Sequence, residues 1–178
     1  MWNADIEKVL ISESELDAIV SRLAEKINND YKNSDKRVVL LCILKGSIIF
    51  MSDLMKKLHI PVEIECMKVS SYGSGTVSTG NVKITLDVLR DDISDCDFLI
   101  VEDIIDSGNT LSYLVKYLEL KGASSVKTCT LLDKPSRRVV DFKADISLFT
   151  IPDHFVIGYG LDCGEYYRNL PYIAEYGE

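Results

Sequence analysis

Apolar and polar positions along the chain alternate between two rhythms, one helical and one extended. Ser12 and Glu15 stand at capping-box spacing, and Leu16, Ile19, Val20, Leu23 and Ile27 follow at helical intervals. This predicts an amphipathic helix ending near Asn28-Asn29-Asp30. RVVLLCIL (37–44) is a continuous apolar run, the pattern of a strand covered on both faces. Lys45-Gly46-Ser47 breaks it, and IIFMSDLMKKL reads as a second helix. VEIECMKVSS (62–71) alternates like a strand and opens into the Ser-, Gly- and Thr-rich stretch 70–81. Positions 82–88 suggest a further strand, DDISDCD a solvated connector, and FLIVE (98–102) the next buried strand. Thr110, Leu111, Leu114, Val115 and Leu118 mark a helix that stops at Gly122. VKTCTLLD is another strand, followed by the basic turn KPSRR, and ADISLFTIP and FVIGYG supply short strands near the end.

Strands alternating with helices predict an α/β fold with a central, mainly parallel sheet flanked by helices. With 178 residues, no internal repeat and no linker, a single domain over 1–178 is expected. In such sheets ligands bind at the carboxyl ends of the strands. Polar clusters follow positions 44, 101 and 132, where those ends should lie.

Composition narrows the partners. A formal charge of −8 opposes nucleic acid and anionic membranes, because phosphates repel an acidic surface. An anionic small molecule remains open if a few basic groups converge or a cation bridges. The five cysteines (42, 66, 96, 129 and 163) are odd in number and include no CxxC pair, which fits a reducing compartment. MWNADIEKVL lacks a basic-then-apolar signal pattern and no apolar run reaches the length of a membrane span, so the expected location is cytoplasmic. His59 and His154 lack metal-ligand spacing and read as surface residues.

The densest chemistry lies in FLIVEDIIDSGNTL (98–111). A tight loop between strand and helix would aim backbone N–H groups and the hydroxyls of Ser107 and Thr110 into one concavity, at the positive end of the helix dipole. Glu102 and Asp103 are hard oxygen donors suited to Mg2+-bound hydroxyls, and Asp106 would lie near whatever the phosphate-bearing group carries. A capped strand–turn–helix would explain one acid here, not three.

Two apolar residues, two acids, two apolar residues, Asp and then small-Gly-x-Thr closely resemble the phosphoribosyl diphosphate motif of the type I phosphoribosyltransferases. Other segments extend the resemblance, in order, to the bacterial form of the hypoxanthine-guanine branch. LKGS (44–47) resembles its diphosphate-binding turn, which implies that Lys45 and the backbone of Gly46 meet the leaving group. SSY (70–72), with the stretch behind it, resembles its mobile catalytic loop over 70–81, carrying Ser71 and Tyr72. LLDKPSRR resembles the segment whose lysine, here Lys134, contacts the exocyclic oxygen of the purine. IPDHFVIGYGLDCGEYYRNLPYI resembles the closing segment, a small hood over 150–178 formed with the other terminal segment. There Phe155 would stack on the purine, Val156 would bind it through backbone groups, Asp162 would hold a second magnesium and Arg168 would contact diphosphate. Taken singly, Lys134 reads as a surface lysine, Phe155 as core, and Asp162 with Arg168 as a surface pair. Asn109 stands where some relatives carry a basic residue, and Cys163 where an aromatic is frequent.

The resemblance implies Mg2+-dependent transfer of 5-phosphoribosyl from phosphoribosyl diphosphate to N9 of hypoxanthine, and less well of guanine. The products are IMP or GMP and diphosphate, within purine salvage. Glu102, Asp103 and Asp162 would supply carboxylates around the metal, and Asp106 would be the acid/base group at N7. Phosphoribosyl diphosphate would be held by Lys45, Gly46, Glu102, Asp103, Asp106, Ser107, Gly108, Asn109, Thr110 and Arg168. The family implies a homodimer or homotetramer. The alternatives are an enzyme for another base, such as xanthine or a guanine-preferring form, and a regulatory protein of the same fold that senses phosphoribosyl diphosphate or a nucleotide.

Overall fold

The computed structural model describes residues 6–71 and 82–177, with only the backbone of Ser71 included. Strand β1 (Ile6–Ile11) leads into α1 (Glu13–Tyr31), whose first turn carries the expected box. The Glu15 N–H donates to Ser12 Oγ at 3.3 Å, and the Ser12 N–H donates to Glu15 Oε2 at 2.8 Å. The helix runs past the Asn28-Asn29-Asp30 cluster because Tyr31 still packs into the core.

Strands β2 (Arg37–Leu44), β3 (Glu63–Ser71), β4 (Val82–Leu86), β5 (Cys96–Ile105), β6 (Ser125–Asp133) and β7 (Ile146–Thr150) form one sheet in the order β4-β3-β2-β5-β6-β7. All neighbours are parallel except β4, which returns antiparallel beside β3. Along β2 the side chains divide between two cores. Val38, Leu40 and Cys42 pack with α1 and with α2 (Ile48–Lys56), while Val39, Leu41 and Ile43 pack with α3 (Asn109–Leu120). A run buried on both faces therefore needs no alternation.

The terminal segments build a second, three-stranded sheet in the order β1-β9-β8, with β8 Val156–Ile157 and β9 Ile173–Tyr176. Neither β1 nor β9 is evident in the sequence pattern, since each is short and finds its partner at the opposite end of the chain. FVIGYG contributes only the two-residue β8.

Two expectations need correction. The stretch 91–97 is no solvated connector: it holds a 3-10 turn at Ile93–Asp95, Ile93 and Cys96 are buried, and β5 already begins at Cys96. Nearby Arg90 is locked by Glu63 at 2.8 Å and Asp92 at 2.8 Å. Secondly, Glu102 and Asp103 are not the end of their strand. Pairing with β6, including Glu102↔Thr130 and Ile105↔Asp133, carries β5 on to Ile105. Of the stretch 70–81 expected to form a catalytic loop, Ser70 and Ser71 pair with β4, and Tyr72 and positions 73–81 lie outside the described residues. Among the described residues no helix is long and apolar enough to cross a membrane.

Candidate active site

Parallel pairing brings the carboxyl ends of β2, β5, β6 and β7 to one edge of the sheet, and the polar clusters meet there. After β5, the chain turns through Asp106, Ser107 and Gly108 into α3. Gly108 holds φ 83, in the left-handed region that favours glycine, and a Cβ there would lie 2.9 Å from the Arg138 side chain. No side chain caps α3 at this position. The first N–H groups of a helix have no intrahelical partner, so the loop keeps donors for an anion. Ser107 Oγ accepts from the Asn109 N–H at 3.3 Å. Residues 106 to 110, with Glu102 and Val82, line a cavity of about 230 Å³ at this point. The helix dipole and uncapped donors make it suited to a phosphate group.

Glu102 and Asp103 form a shielded acidic pair. Glu102 Oε2 is inaccessible to solvent and has no hydrogen-bond partner among the described residues. Burial and the neighbouring Asp103 push the Glu102 carboxyl well above its usual range. Burial also raises Asp103, to about 6, although the Ile104 N–H and the Arg168 guanidinium favour its ionised form. An orphaned carboxylate oxygen beside a second carboxylate fits a hard cation, as Mg2+ is. Among the described residues no three potential ligands converge on one metal position. Asp162 is engaged elsewhere: its Oδ1 pairs with Arg168 at 2.8 Å and its Oδ2 accepts from the Glu165 N–H at 2.8 Å.

The turn after β2 packs against this pair. The Leu44–Lys45 peptide is cis. Buried Ser47 donates to the Ile43 carbonyl at 2.6 Å, which fastens the turn to its strand. A Cβ on Gly46 would overlap the Asp103 carboxylate, so only glycine lets the backbone lie so close. Lys45 projects outward to Glu165, with Nζ–Oε2 2.8 Å.

The structure reverses the bland readings of Lys134 and Phe155. Lys134 is 8% exposed and makes no side-chain hydrogen bond or ion pair among the described residues, whereas Phe155 is 56% exposed. The Lys134 ammonium thus keeps its donors for a ligand, and an exposed aromatic face invites a planar ligand. The Lys134 N–H donates to the Ile105 carbonyl at 3.0 Å, which sets this residue beside Asp106. The Ile151 N–H donates to the Asp133 carbonyl at 2.9 Å and draws the segment leading to Phe155 alongside. Phe155 leans edge-on against Tyr176, with centroids 5.7 Å apart. Val156 lies in β8, an edge strand with backbone groups on one side unpaired by the small sheet. His154, read as a surface residue, is partly buried and paired with Glu175.

Sequence reasoning overlooked Glu165 and Gly160. Glu165 sits three residues before Arg168, a spacing that holds a clue once Arg168 is suspected. Gly160 has φ 104 and presses on the Gly46 carbonyl, a contact between distant segments that no local pattern announces.

Residues 12–163 match the family described as the phosphoribosyl transferase domain. The chain is 51% identical over 174 residues to the hypoxanthine-guanine phosphoribosyltransferase of Bacillus subtilis (strain 168), covering 98% of this chain and 95% of that protein. It superimposes on a hypoxanthine phosphoribosyltransferase from Staphylococcus aureus with a TM-score of 0.92 and 43% identity, over 98% of this chain and 94% of that one. The corresponding enzyme from Trypanosoma cruzi, solved in complex with the product IMP, gives a TM-score of 0.88 at 39% identity, over 97% and 95% of the two chains. The order of motifs, the sheet and these likenesses agree: the chain belongs to the phosphoribosyltransferase family, in its hypoxanthine and hypoxanthine-guanine branch.

Proposed function

We propose that the chain is a purine-salvage transferase that moves 5-phosphoribosyl from phosphoribosyl diphosphate to N9 of hypoxanthine, and more slowly of guanine, releasing diphosphate. One observation carries the choice of base: Lys134, largely buried as a residue and with no side-chain hydrogen bond or ion pair among the described residues, lies beside Asp106. An ammonium only donates, so it satisfies a 6-oxo group and leaves the 6-amino group of adenine unmet. Phe155 offers its face to the ring and the free edge of β8 at Val156 offers backbone groups.

The loop 106–110 cradles the 5-phosphate through N–H groups and the Ser107 and Thr110 hydroxyls. Lys45, the Gly46 backbone and Arg168 face the diphosphate. Glu102 and Asp103 would hold Mg2+, and Asp162, by resemblance, a second ion; the metal would supply neutralisation of charge on the departing diphosphate. Asp106, exposed at the mouth of the cavity, exchanges a proton with N7 and so raises the nucleophilicity of N9. Ser71 and Tyr72 are assigned by resemblance to a segment that closes over C1 and excludes water. Tyr72→Ala should then depress turnover while leaving donor affinity near normal; an unchanged turnover number would remove Tyr72 from the reaction. We also infer one domain over 1–178 with a hood from its terminal segments, a cytoplasmic location, and a homodimer or homotetramer, which light scattering on the purified protein tests.

Lys134→Met tests the carrying observation. Losing a charged hydrogen bond to the base, roughly 1.5–3 kcal/mol, should raise KM for hypoxanthine about tenfold to a hundredfold. KM for phosphoribosyl diphosphate should stay close to normal. An unaltered hypoxanthine KM would mean that Lys134 does not touch the base.

A further inference from the structure

We propose that Glu165 is an internal stand-in for diphosphate: with the site empty its carboxylate occupies Lys45 and Arg168, and diphosphate must displace it to bind. The proposal rests on the reading of Lys45 and Arg168 as diphosphate contacts. A single oxygen, Glu165 Oε2, lies 2.8 Å from Lys45 Nζ and 3.4 Å from Arg168 Nη2. The two cations come from the turn after β2 and from the segment before β9, and this carboxylate joins them.

The local backbone explains how Glu165 reaches that position. Its φ is 73, a left-handed conformation unfavourable for a residue with a side chain. Its N–H donates to Asp162 Oδ2, while Asp162 Oδ1 takes Arg168. One carboxylate thus fixes both the turn and the guanidinium. Packing does not hold the Glu165 side chain, which is 64% exposed. Its charge does: the hydrogen bond from Lys45 pulls its carboxyl below the usual range, so it is ionised at neutral pH.

The two cations differ in what remains when Glu165 leaves. Arg168 keeps Asp162 and also donates to the Gly160 carbonyl at 2.8 Å, so it stays aimed. Lys45 has no other anionic partner among the described residues, and its side chain is half exposed. Exposed pairs of this kind are weak. Glu165 therefore shields the cations yet yields to a ligand carrying several charges. Being tethered, it competes in every cycle and favours release of the diphosphate product.

The opposite role, a brace that presents Lys45 and Arg168 to the donor, predicts the opposite sign. Titration calorimetry of diphosphate with magnesium ions into wild type and Glu165→Gln separates them. The variant should bind diphosphate roughly twofold to fivefold more tightly, the worth of an exposed ion pair. The gain should shrink as salt screens the pair. Equal or weaker binding by Glu165→Gln overturns the proposal. Lys45→Met and Arg168→Gln, titrated in parallel, check the reading beneath it. If both bind diphosphate as tightly as wild type, the cations do not contact it and both ideas fall. If they weaken binding while Glu165→Gln gains nothing, the stand-in alone fails.

Discussion

Asp106 stands just beyond the last paired residue of β5, exposed at the mouth of the phosphate cavity, while its neighbours Glu102 and Asp103 are shielded. That difference divides the labour of three nearby carboxylates. The shielded pair suits a cation, and the exposed one is free to meet a base. Asp106→Asn preserves the shape of the turn and removes proton exchange. We expect its turnover number to fall by roughly 10²–10⁴-fold, with donor affinity little changed. Near-normal single-turnover rates would take Asp106 out of the chemistry. The acids were legible from their spacing alone, since no capping arrangement requires three. Their environments were not. Nothing local in EDIID says that a glycine from another strand end closes on Asp103, or that Glu102 Oε2 has no hydrogen-bond partner among the described residues.

Elements were legible where one segment decides its own pattern. The capping box of α1, the doubly covered β2 and the amphipathic α3 all lie close to where periodicity places them. Misses came where the partner is remote. β1 needs β9, and Ile93 enters a core built by other elements, so their sequences read as polar or irregular. One such remote tie anchors the C-terminal half of α3 to the segment after β4. Asp87 accepts from Tyr117 at 2.5 Å and from Lys121 at 2.8 Å. Burial alone would raise the Asp87 carboxyl, but these bonds and the Val88 N–H outweigh it, so its net shift is downward. A carboxyl with a depressed folded-state pKa adds stability above its unfolded value, about 3.9. That stability is lost as pH falls through the folded value. Thermal melts should therefore show Asp87→Asn less stable than wild type at neutral pH, with the gap narrowing below about pH 4. A gap independent of pH would show that the tie does not act through its charge.

Across the whole molecule, the α/β class, the parallel sheet and the edge that bears the site followed from alternation of elements and from where polar clusters interrupt apolar runs. What the sequence concealed is how an acidic chain with net charge −8 accommodates a polyanion. Lys45 and Arg168 come from distant segments, the turn after β2 and the segment before β9, and are brought together through Glu165. The fold also hides Lys134 and exposes Phe155, against the usual preference of each residue type. Transfer of phosphoribosyl to a 6-oxopurine at this edge is read out by initial rates of the purified chain with phosphoribosyl diphosphate and Mg2+ against hypoxanthine, guanine and adenine. Hypoxanthine should give IMP, guanine should react more slowly, and adenine should be essentially inert. Adenine turning over as fast as hypoxanthine would contradict the assignment.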